Sequence, residues 1–191
     1  MRLGNFAVEI RQGKELDSGY VAMKHNKKYT IRLCNYSHVR CDVIIEIDGK
    51  DIGGWRLSAN GRLILERPSH DTGCFTFYKI GTSEAKKAEI VDSDQLGLIT
   101  VFFKPEKKKE FSPGTLRCNG PIRSRKAGGT GLSGKSDQKF QKVPPLENYD
   151  EEGFVQINLR LICETKTDDE PRPLTPASNP VPPPVSTKVI L

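Results

Sequence analysis

Residues 154–163 alternate apolar and polar side chains almost strictly, and the chain on either side of them lacks the composition of a packed core. This period of two predicts a half-buried antiparallel strand, because alternate side chains of a strand point to opposite faces of a sheet. The buried face of the predicted strand consists of Val155, Ile157, Leu159 and Leu161. The only apolar segments able to supply partner strands lie before residue 105. The chain is therefore predicted to leave its domain over residues 105–152 and to return to complete it.

Residues 5–104 consist of short alternating segments separated by turn signals. The strongest signal is Asp48-Gly49 between extended flanks, since both central positions of a tight hairpin turn need φ above zero. It predicts that residues 41–47 pair with residues 50–57. Further strands are predicted at residues 6–10, 20–23, 29–34, 62–67, 75–80 and 98–103, with one or two helical turns on the surface within residues 84–90.

Strands that recur about every 8 to 12 residues, with turns between them, are typical of an all-β sandwich or barrel. Together with residues 154–163 they number eight or nine, which predicts a single jelly-roll β-sandwich of antiparallel strands. The 191 residues, of which 36% are hydrophobic, suffice for one domain with a substantial core. The predicted sandwich domain comprises residues 1–104 and 153–163.

The remaining segments differ in composition from the sandwich. Residues 105–152 are predicted to form a long, basic, glycine-rich loop insertion, with basic runs near Lys107 and Arg123. Residues 164–191 are predicted to form a disordered or extended tail, because prolines favour polyproline II and are excluded from central strands. The net charge of +6 permits nonspecific contact with anions through the basic loop, and it equally serves solubility.

The sequence shows no segment near the roughly 20 apolar residues of a membrane-spanning helix, and no secretory signal follows Met1. We therefore expect no membrane span and a reducing compartment. The five cysteines include no C-x-x-C pair and the three histidines have no i, i+4 spacing, so neither a metal site nor a cofactor is predicted. Cys34 and Cys41 are favoured as two thiols in neighbouring strands over a disulfide across a hairpin.

Residues 129–136 match the phosphate-binding pattern G-x-x-x-x-G-K-S. The pattern binds phosphate when a buried strand precedes the loop and a helix follows it, so that amide groups and the helix dipole converge on the ligand. Residues 119–126 are too polar for a central strand, and Val143-Pro144-Pro145 stops any following helix. The pattern therefore favours a flexible, basic loop over a nucleotide-hydrolysing site.

No catalytic set of side chains is predicted from local context. His70-Asp71 beside Cys74 comes nearest, and it is better explained as a loop in which Asp71 and Thr72 bond the backbone and Gly73 supplies a permissive dihedral. Trp55 is predicted to lie in the core or between the sheets. Charge pairing across solvated faces is predicted for the arginines Arg56, Arg62 and Arg67 with the acids Glu46, Asp48 or Glu66.

A succession of short motifs runs along the predicted sandwich: Trp55-Arg56-Leu57, Glu66-Arg67-Pro68, Asp71-Thr72-Gly73, Phe75-Thr76-Phe77-Tyr78 and Gly81-Thr82. Together with the glycine-rich segment and residues 158–161, this succession resembles uncharacterised β-sandwich proteins of large icosahedral DNA viruses and some microbial relatives. The resemblance covers residues 20–163. It implies a capsid role, as a vertex (penton) subunit or a minor capsid protein in the virion, and it brings no catalytic residues.

We therefore expect a structural protein, not an enzyme, that forms homo-oligomers or docks with other shell proteins. Residues 105–152 and the proline-rich tail would serve as extended arms, and outside a virion the expected location is the cytoplasm. The alternative is a non-catalytic, lectin-like module with aromatic and carboxylate side chains clustered at one end of the sandwich, for which Trp55, Tyr78 and His70 are the candidates. A third hypothesis, nucleotide hydrolysis depending on Lys135, is disfavoured.

Overall fold

The computed structural model describes residues 1–107 and 127–164. Within these ranges the chain is mostly β, with thirteen strands, one short α-helix and one 3-10 turn at Asp17–Gly19. The strands are β1 (Arg2–Leu3), β2 (Phe6–Ile10), β3 (Lys14–Glu15), β4 (Tyr20–Met23), β5 (Lys27–Lys28), β6 (Ile31–Asn35), β7 (Cys41–Ile47), β8 (Lys50–Leu57), β9 (Arg62–Leu65), β10 (Cys74–Lys79), β11 (Leu98–Pro105), β12 (Gly128–Ser133) and β13 (Val155–Cys163), and the helix α1 (Ser83–Lys87) precedes β11.

The strands form two packed layers, which confirms the prediction of an all-β fold. One layer is a six-stranded sheet in the order β3-β4-β13-β11-β7-β8. The other combines a four-stranded sheet, β1-β2-β6-β9, with a three-stranded sheet, β12-β10-β5. Hydrogen bonds from the Tyr29 amide to the Phe75 carbonyl (3.0 Å) and from the Phe75 amide to the Glu66 carbonyl (2.9 Å) join these two sheets.

The late alternating segment is strand β13, as predicted, and it lies in the interior of the six-stranded sheet. Its predicted inner face is buried and Gln156 is exposed. β13 pairs with β11 antiparallel along residues 155–160, and with β4 in parallel along residues 160–163. The prediction of antiparallel pairing is therefore right for β11 and wrong for β4. Both neighbours come from distant parts of the chain, so the local alternation that predicts β13 does not determine the direction of the strands beside it.

The Asp-Gly signal produces the predicted hairpin between β7 and β8. Asp48 has φ 52° and Gly49 has φ 74°, the positive values that this turn requires. The register shifts between Ile45 and Glu46, which marks a β-bulge opposite the glycines of β8.

Side chains from both layers meet in one hydrophobic core. The ring of Phe6 on β2 stacks on that of Phe103 on β11 at 4.7 Å between centroids, and so bridges the layers directly. The ring of Tyr29 stacks on Phe75 at 5.6 Å within the second layer. Burying each such ring contributes about 1.5–3 kcal/mol, so the Phe6–Phe103 contact helps to fix how the two layers face each other.

The prediction of a loop throughout residues 105–152 is wrong for Gly128–Ser133. This segment is strand β12 and pairs with the whole of β10 in antiparallel register. Its glycines allow close approach, since a Cβ on Gly131 would lie 2.7 Å from the Tyr78 ring and 2.9 Å from the Ala88 Cβ. A glycine-rich segment predicts disorder, but here the missing side chain of Gly131 makes room for the Tyr78 ring.

Other differences from prediction are local. The predicted one or two helical turns are confirmed, but the helix spans Ser83–Lys87 and so begins and ends earlier than residues 84–90. The thirteen strands exceed the predicted eight or nine because of β12 and of β1, β3 and β5, which have two residues each, too few to show a period. The predictions for residues 108–126 and 165–191 lie outside the described residues.

We expect Gly131→Ala to lower the free energy of unfolding by about 1–3 kcal/mol, because the added methyl group overlaps Tyr78 and Ala88. The matched control is Gly54→Ala in β8, where the nearest atom to the new Cβ lies 3.5 Å away and we expect a change within about 0.5 kcal/mol. Urea unfolding of both variants measures the difference. Equal stability of the two would contradict the packing assigned to β12.

Candidate functional site

A groove of about 470 Å³ lies between the β7–β8 hairpin, the loop after β9, the chain after α1, and strand β12. We call it the hairpin groove. Its walls are largely apolar, and its ionisable lining residues are Asp48, Lys50, Asp51, His70, Lys87 and Glu89. A groove of this size and composition falls within the range of small-ligand and peptide sites.

Asp48 connects three segments of the chain at the inner end of the hairpin groove. Its carboxylate accepts hydrogen bonds from the amides of Gly97 (2.6 Å) and Thr130 (2.8 Å). Burial raises the pKa of Asp48, and the two amide bonds counter that rise only in part. The turn residue of the hairpin thus ties β12 to the start of β11, a role that its turn chemistry alone did not indicate.

A second contact beneath the groove joins Tyr29 to β12. The hydroxyls of Tyr29 and Thr130 lie 2.6 Å apart and share a hydrogen bond. Burial raises the pKa of the Tyr29 hydroxyl, so that this group stays protonated. β12 is therefore held both by the buried hydroxyl of Tyr29 and by the half-buried carboxylate of Asp48.

The predicted backbone bonding of the His70-Asp71 loop is confirmed for Asp71. The Asp71 carboxylate accepts a hydrogen bond from the Gly73 amide at 2.7 Å, and the Thr72 carbonyl accepts one from the Ser136 amide. Gly73 has no positive φ, so the predicted dihedral role is wrong; a Cβ there would instead lie 2.7 Å from the Leu132 Cβ.

The candidates for a lectin-like site do not form one cluster. Trp55 is only 9% exposed and Tyr78 only 7% exposed, so neither ring offers a face for stacking a sugar. Trp55 belongs to the core, as predicted, and meets Phe140 edge-on at 5.8 Å. His70 lines the hairpin groove, whereas Trp55 lines a separate cavity beside Asp42 and Tyr149.

Arg67 clamps the chain that follows β12. Its guanidinium donates to the Gln138 carbonyl (2.5 and 3.0 Å) and to the Asp71 carbonyl (2.8 Å), and it lies 4.3 Å above the Phe140 ring. The pairing of Arg67 with an acidic side chain was wrongly predicted. The planar guanidinium of arginine carries five N–H donors, which can bind several backbone carbonyls as well as they bind a carboxylate.

The side chain of Gln138 covers the edge of β9. Its amide nitrogen donates to the Ile64 carbonyl at 2.6 Å, and its amide oxygen accepts from the Glu66 amide at 3.1 Å. One side chain thus imitates the two backbone bonds of a neighbouring strand. Such a cover prevents another chain from pairing at this position.

Asp42 collects four hydrogen bonds on the opposite side of the β7–β8 hairpin. Arg56 donates two (2.8 and 3.1 Å), the Leu146 amide one (3.1 Å) and the Tyr149 hydroxyl one (2.8 Å). Burial alone would raise the pKa of Asp42, but these donors outweigh it and hold the pKa below its ordinary value.

The predicted pairing of Arg56 with Glu46, Asp48 or Glu66 is wrong, because Asp42 faces Arg56 across the hairpin. Arg62, the third arginine, is exposed on β9.

The G-x-x-x-x-G-K-S pattern does not form a phosphate-binding loop. Its first residues are extended in β12, and Gly134 turns the chain with φ 65°. No helix follows in residues 134–164, so no helix dipole is directed at this segment. The sequence argument against a nucleotide site is thus supported, although the predicted flexible loop is a paired strand.

Four cysteines fall within the described residues, and all are free thiols. Cys34 lies on β6 and Cys41 on β7, which belong to opposite layers, so the prediction of neighbouring strands is wrong. Burial raises the pKa of Cys41 to about 12, so that thiol is inert at neutral pH.

In the part of the chain that the structure describes, no three His, Cys, Asp or Glu residues converge as a metal site would require. Over the same residues, no helix has the length and apolar character needed to cross a membrane. No family model, curated protein or solved structure matches this chain.

We expect Asp42→Asn to lower the free energy of unfolding at pH 7 by about 2 kcal/mol, because it weakens several bonds to a charged acceptor. The folded-state pKa of Asp42 is depressed, so ionised Asp42 stabilises the fold above its unfolded pKa of about 3.9, and this stability is lost as the pH falls through the folded value. The wild type should therefore lose more stability than the variant as the pH falls below about 4, measured by urea unfolding. Glu9→Gln, in an exposed ion pair with Arg32, serves as the control and should change little.

We expect no saturable binding of a fluorescent ATP analogue to the full chain, because residues 128–133 are paired in a sheet rather than wrapped around a phosphate. Lys135→Ala should give the same titration curve as the wild type. Saturable binding that this substitution abolishes would restore the nucleotide hypothesis.

Proposed function

We propose that this protein is a non-catalytic structural component of a protein shell, built on a jelly-roll type of sandwich, of the capsid or vertex (penton) kind. The sequence resemblance to viral β-sandwich proteins motivates the proposal, and the all-β, two-layer body is compatible with it. The proposed partners are further copies of the chain and other shell proteins, and the proposed location is the virion.

One observation carries the proposal: the chain after β12 is fastened to the sandwich at successive points. Arg67 and Gln138 hold its first part, and Asp42 with Arg56 holds its second part at Pro144, Leu146 and Tyr149. Residues 127–152 are thus part of the folded body, whereas the arm role predicted for residues 105–152 requires a segment that is free of it. A shell subunit needs such a body, since its contacts must be repeated identically around a symmetric assembly.

The body limits unwanted pairing at four of its six outer strands. The outer strands β1, β3 and β5 have two residues each, and the Gln138 side chain covers β9, whereas β8 and β12 are longer. Short or covered edges suppress uncontrolled sheet-to-sheet association. We assign specific assembly to the proline-rich residues 165–191, which follow the last described strand.

The proposal predicts concentration-dependent oligomers of the purified full chain, measured by light scattering coupled to size exclusion. A chain that ends at residue 164 should remain folded but lose this association, because it retains all thirteen strands that the structure describes, of which β13 ends at Cys163. A full chain that stays monomeric at high concentration, and that is missing from purified particles of its source, would contradict the shell role.

A further inference from the structure

The hairpin groove runs beside the outer edge of β12, and that edge offers backbone groups to a further strand. The amide of Thr130 donates to Asp48 and therefore points away from β10. In an antiparallel ladder the residue two positions on points the same way, so the N–H and C=O of Leu132 also face outward. The partners Phe75 and Phe77 confirm this alternation, since Phe75 bonds Glu66 and Tyr29 and Phe77 bonds Asn26, all away from β12.

The groove is apolar where an added strand would lie. Ile52 and Phe75 come from the sandwich, and Ile90 and Leu96 come from the chain between α1 and β11. Leu132 and Val91 are 40% and 74% exposed at its margin, both unusual for such side chains. An occupant with apolar side chains would cover them.

The volume of the groove corresponds to a short piece of strand. A strand residue in a two-layer sandwich fills roughly 160 Å³, from a rise of about 3.3 Å, a strand spacing of about 4.8 Å and a layer spacing of about 10 Å. The cavity of about 470 Å³ therefore accommodates roughly three residues. This is the size of a peptide anchor.

The sequence contains one well-suited occupant outside the described residues. Val189-Ile190-Leu191 is the longest uninterrupted apolar run of residues 165–191, and β-branched residues favour strands. β13 ends at Cys163, at the end of the six-stranded sheet where Leu161 bonds Gly97 and Asp48 lines the groove. Residues 165–188 reach up to roughly 70 Å at about 3.1 Å per residue, so the groove lies within their range.

We infer that residues 189–191 bind in the hairpin groove as an added strand beside β12, with the backbone of Leu132 as hydrogen-bonding partner. Backbone pairing supplies the orientation, and the apolar side chains fill the space beside Ile52 and Phe75. The inference goes beyond the shell role, because it holds whether the segment comes from the same chain or from a second copy.

Hydrogen exchange of single backbone amides tests the inference directly. In the full chain the Leu132 amide should exchange about tenfold more slowly than in a chain ending at residue 185, because residues 189–191 cover it. The Thr130 amide is the internal control, since its bond to Asp48 lies within the body and should protect it equally in both chains. Equal exchange of Leu132 in the two chains overturns the inference.

A peptide of residues 181–191 tests the groove itself. It should bind the chain ending at residue 185 saturably, measured by fluorescence anisotropy, and a peptide with Val189→Asp and Leu191→Asp should not. Leu132→Asp should abolish binding, whereas Val143→Asp should retain it, because Val143 is equally apolar and 51% exposed but lies outside the groove. Thr130 exchange verifies that both variants are folded. Absence of binding, or binding that survives Leu132→Asp, overturns the inference.

Light scattering of the same full chain separates this inference from the shell proposal. A monomer with a protected Leu132 amide shows that the segment binds its own groove, which supports the inference and contradicts the shell proposal. An oligomer with protected Leu132 that dissociates on truncation at residue 185 supports both. An oligomer with unprotected Leu132 supports the shell proposal and overturns the inference.

Discussion

The structure depends on strand β13, which fills the position between β4 and β11 in the six-stranded sheet. Its inner side chains Val155, Ile157, Leu159 and Leu161 are all buried in the shared core. Without β13 the β3–β4 ribbon would have no connection to the rest of that sheet. One segment, far along the chain, thus unites strands from the first and the middle thirds of the protein.

Two carboxylates secure the chain that leads to β13. Asp48 holds β12 through Thr130, and Asp42 holds the later part through Leu146 and Tyr149. Both acids belong to the β7–β8 hairpin or its turn, one near each end. Half-buried carboxylates are costly unless donors surround them, so each position tolerates few alternative arrangements of the neighbouring chain. The hairpin therefore positions residues 127–152 through the hydrogen bonds of these two acids.

The strands that alternate clearly could be predicted from sequence, because burial of one face imposes its period on the residues; β2, β7 and β13 are examples. β12 could not be predicted in this way, because its glycine at position 131 is required by the close approach of Tyr78 and Ala88, which are adjacent only in the folded chain. The bonds of Asp42 and Gln138 were likewise invisible, because the partner of Asp42 lies 104 residues away at Leu146. The hairpin groove is formed by segments that are far apart in the sequence, so no local sequence pattern predicts it.

The position of β13 has a consequence for synthesis on the ribosome. When residues 1–107 have emerged, β4 and β11 are both present, yet each still lacks the neighbour that finally separates them. The nascent chain must keep two open strand edges apart from one another, and from other polypeptides, until residue 163 is released. Contacts of such long sequence separation form slowly, and exposed edges are prone to aggregate meanwhile. Completion of the sheet thus waits for the synthesis of β13, and a chaperone that shields strand edges would have its greatest effect before that point.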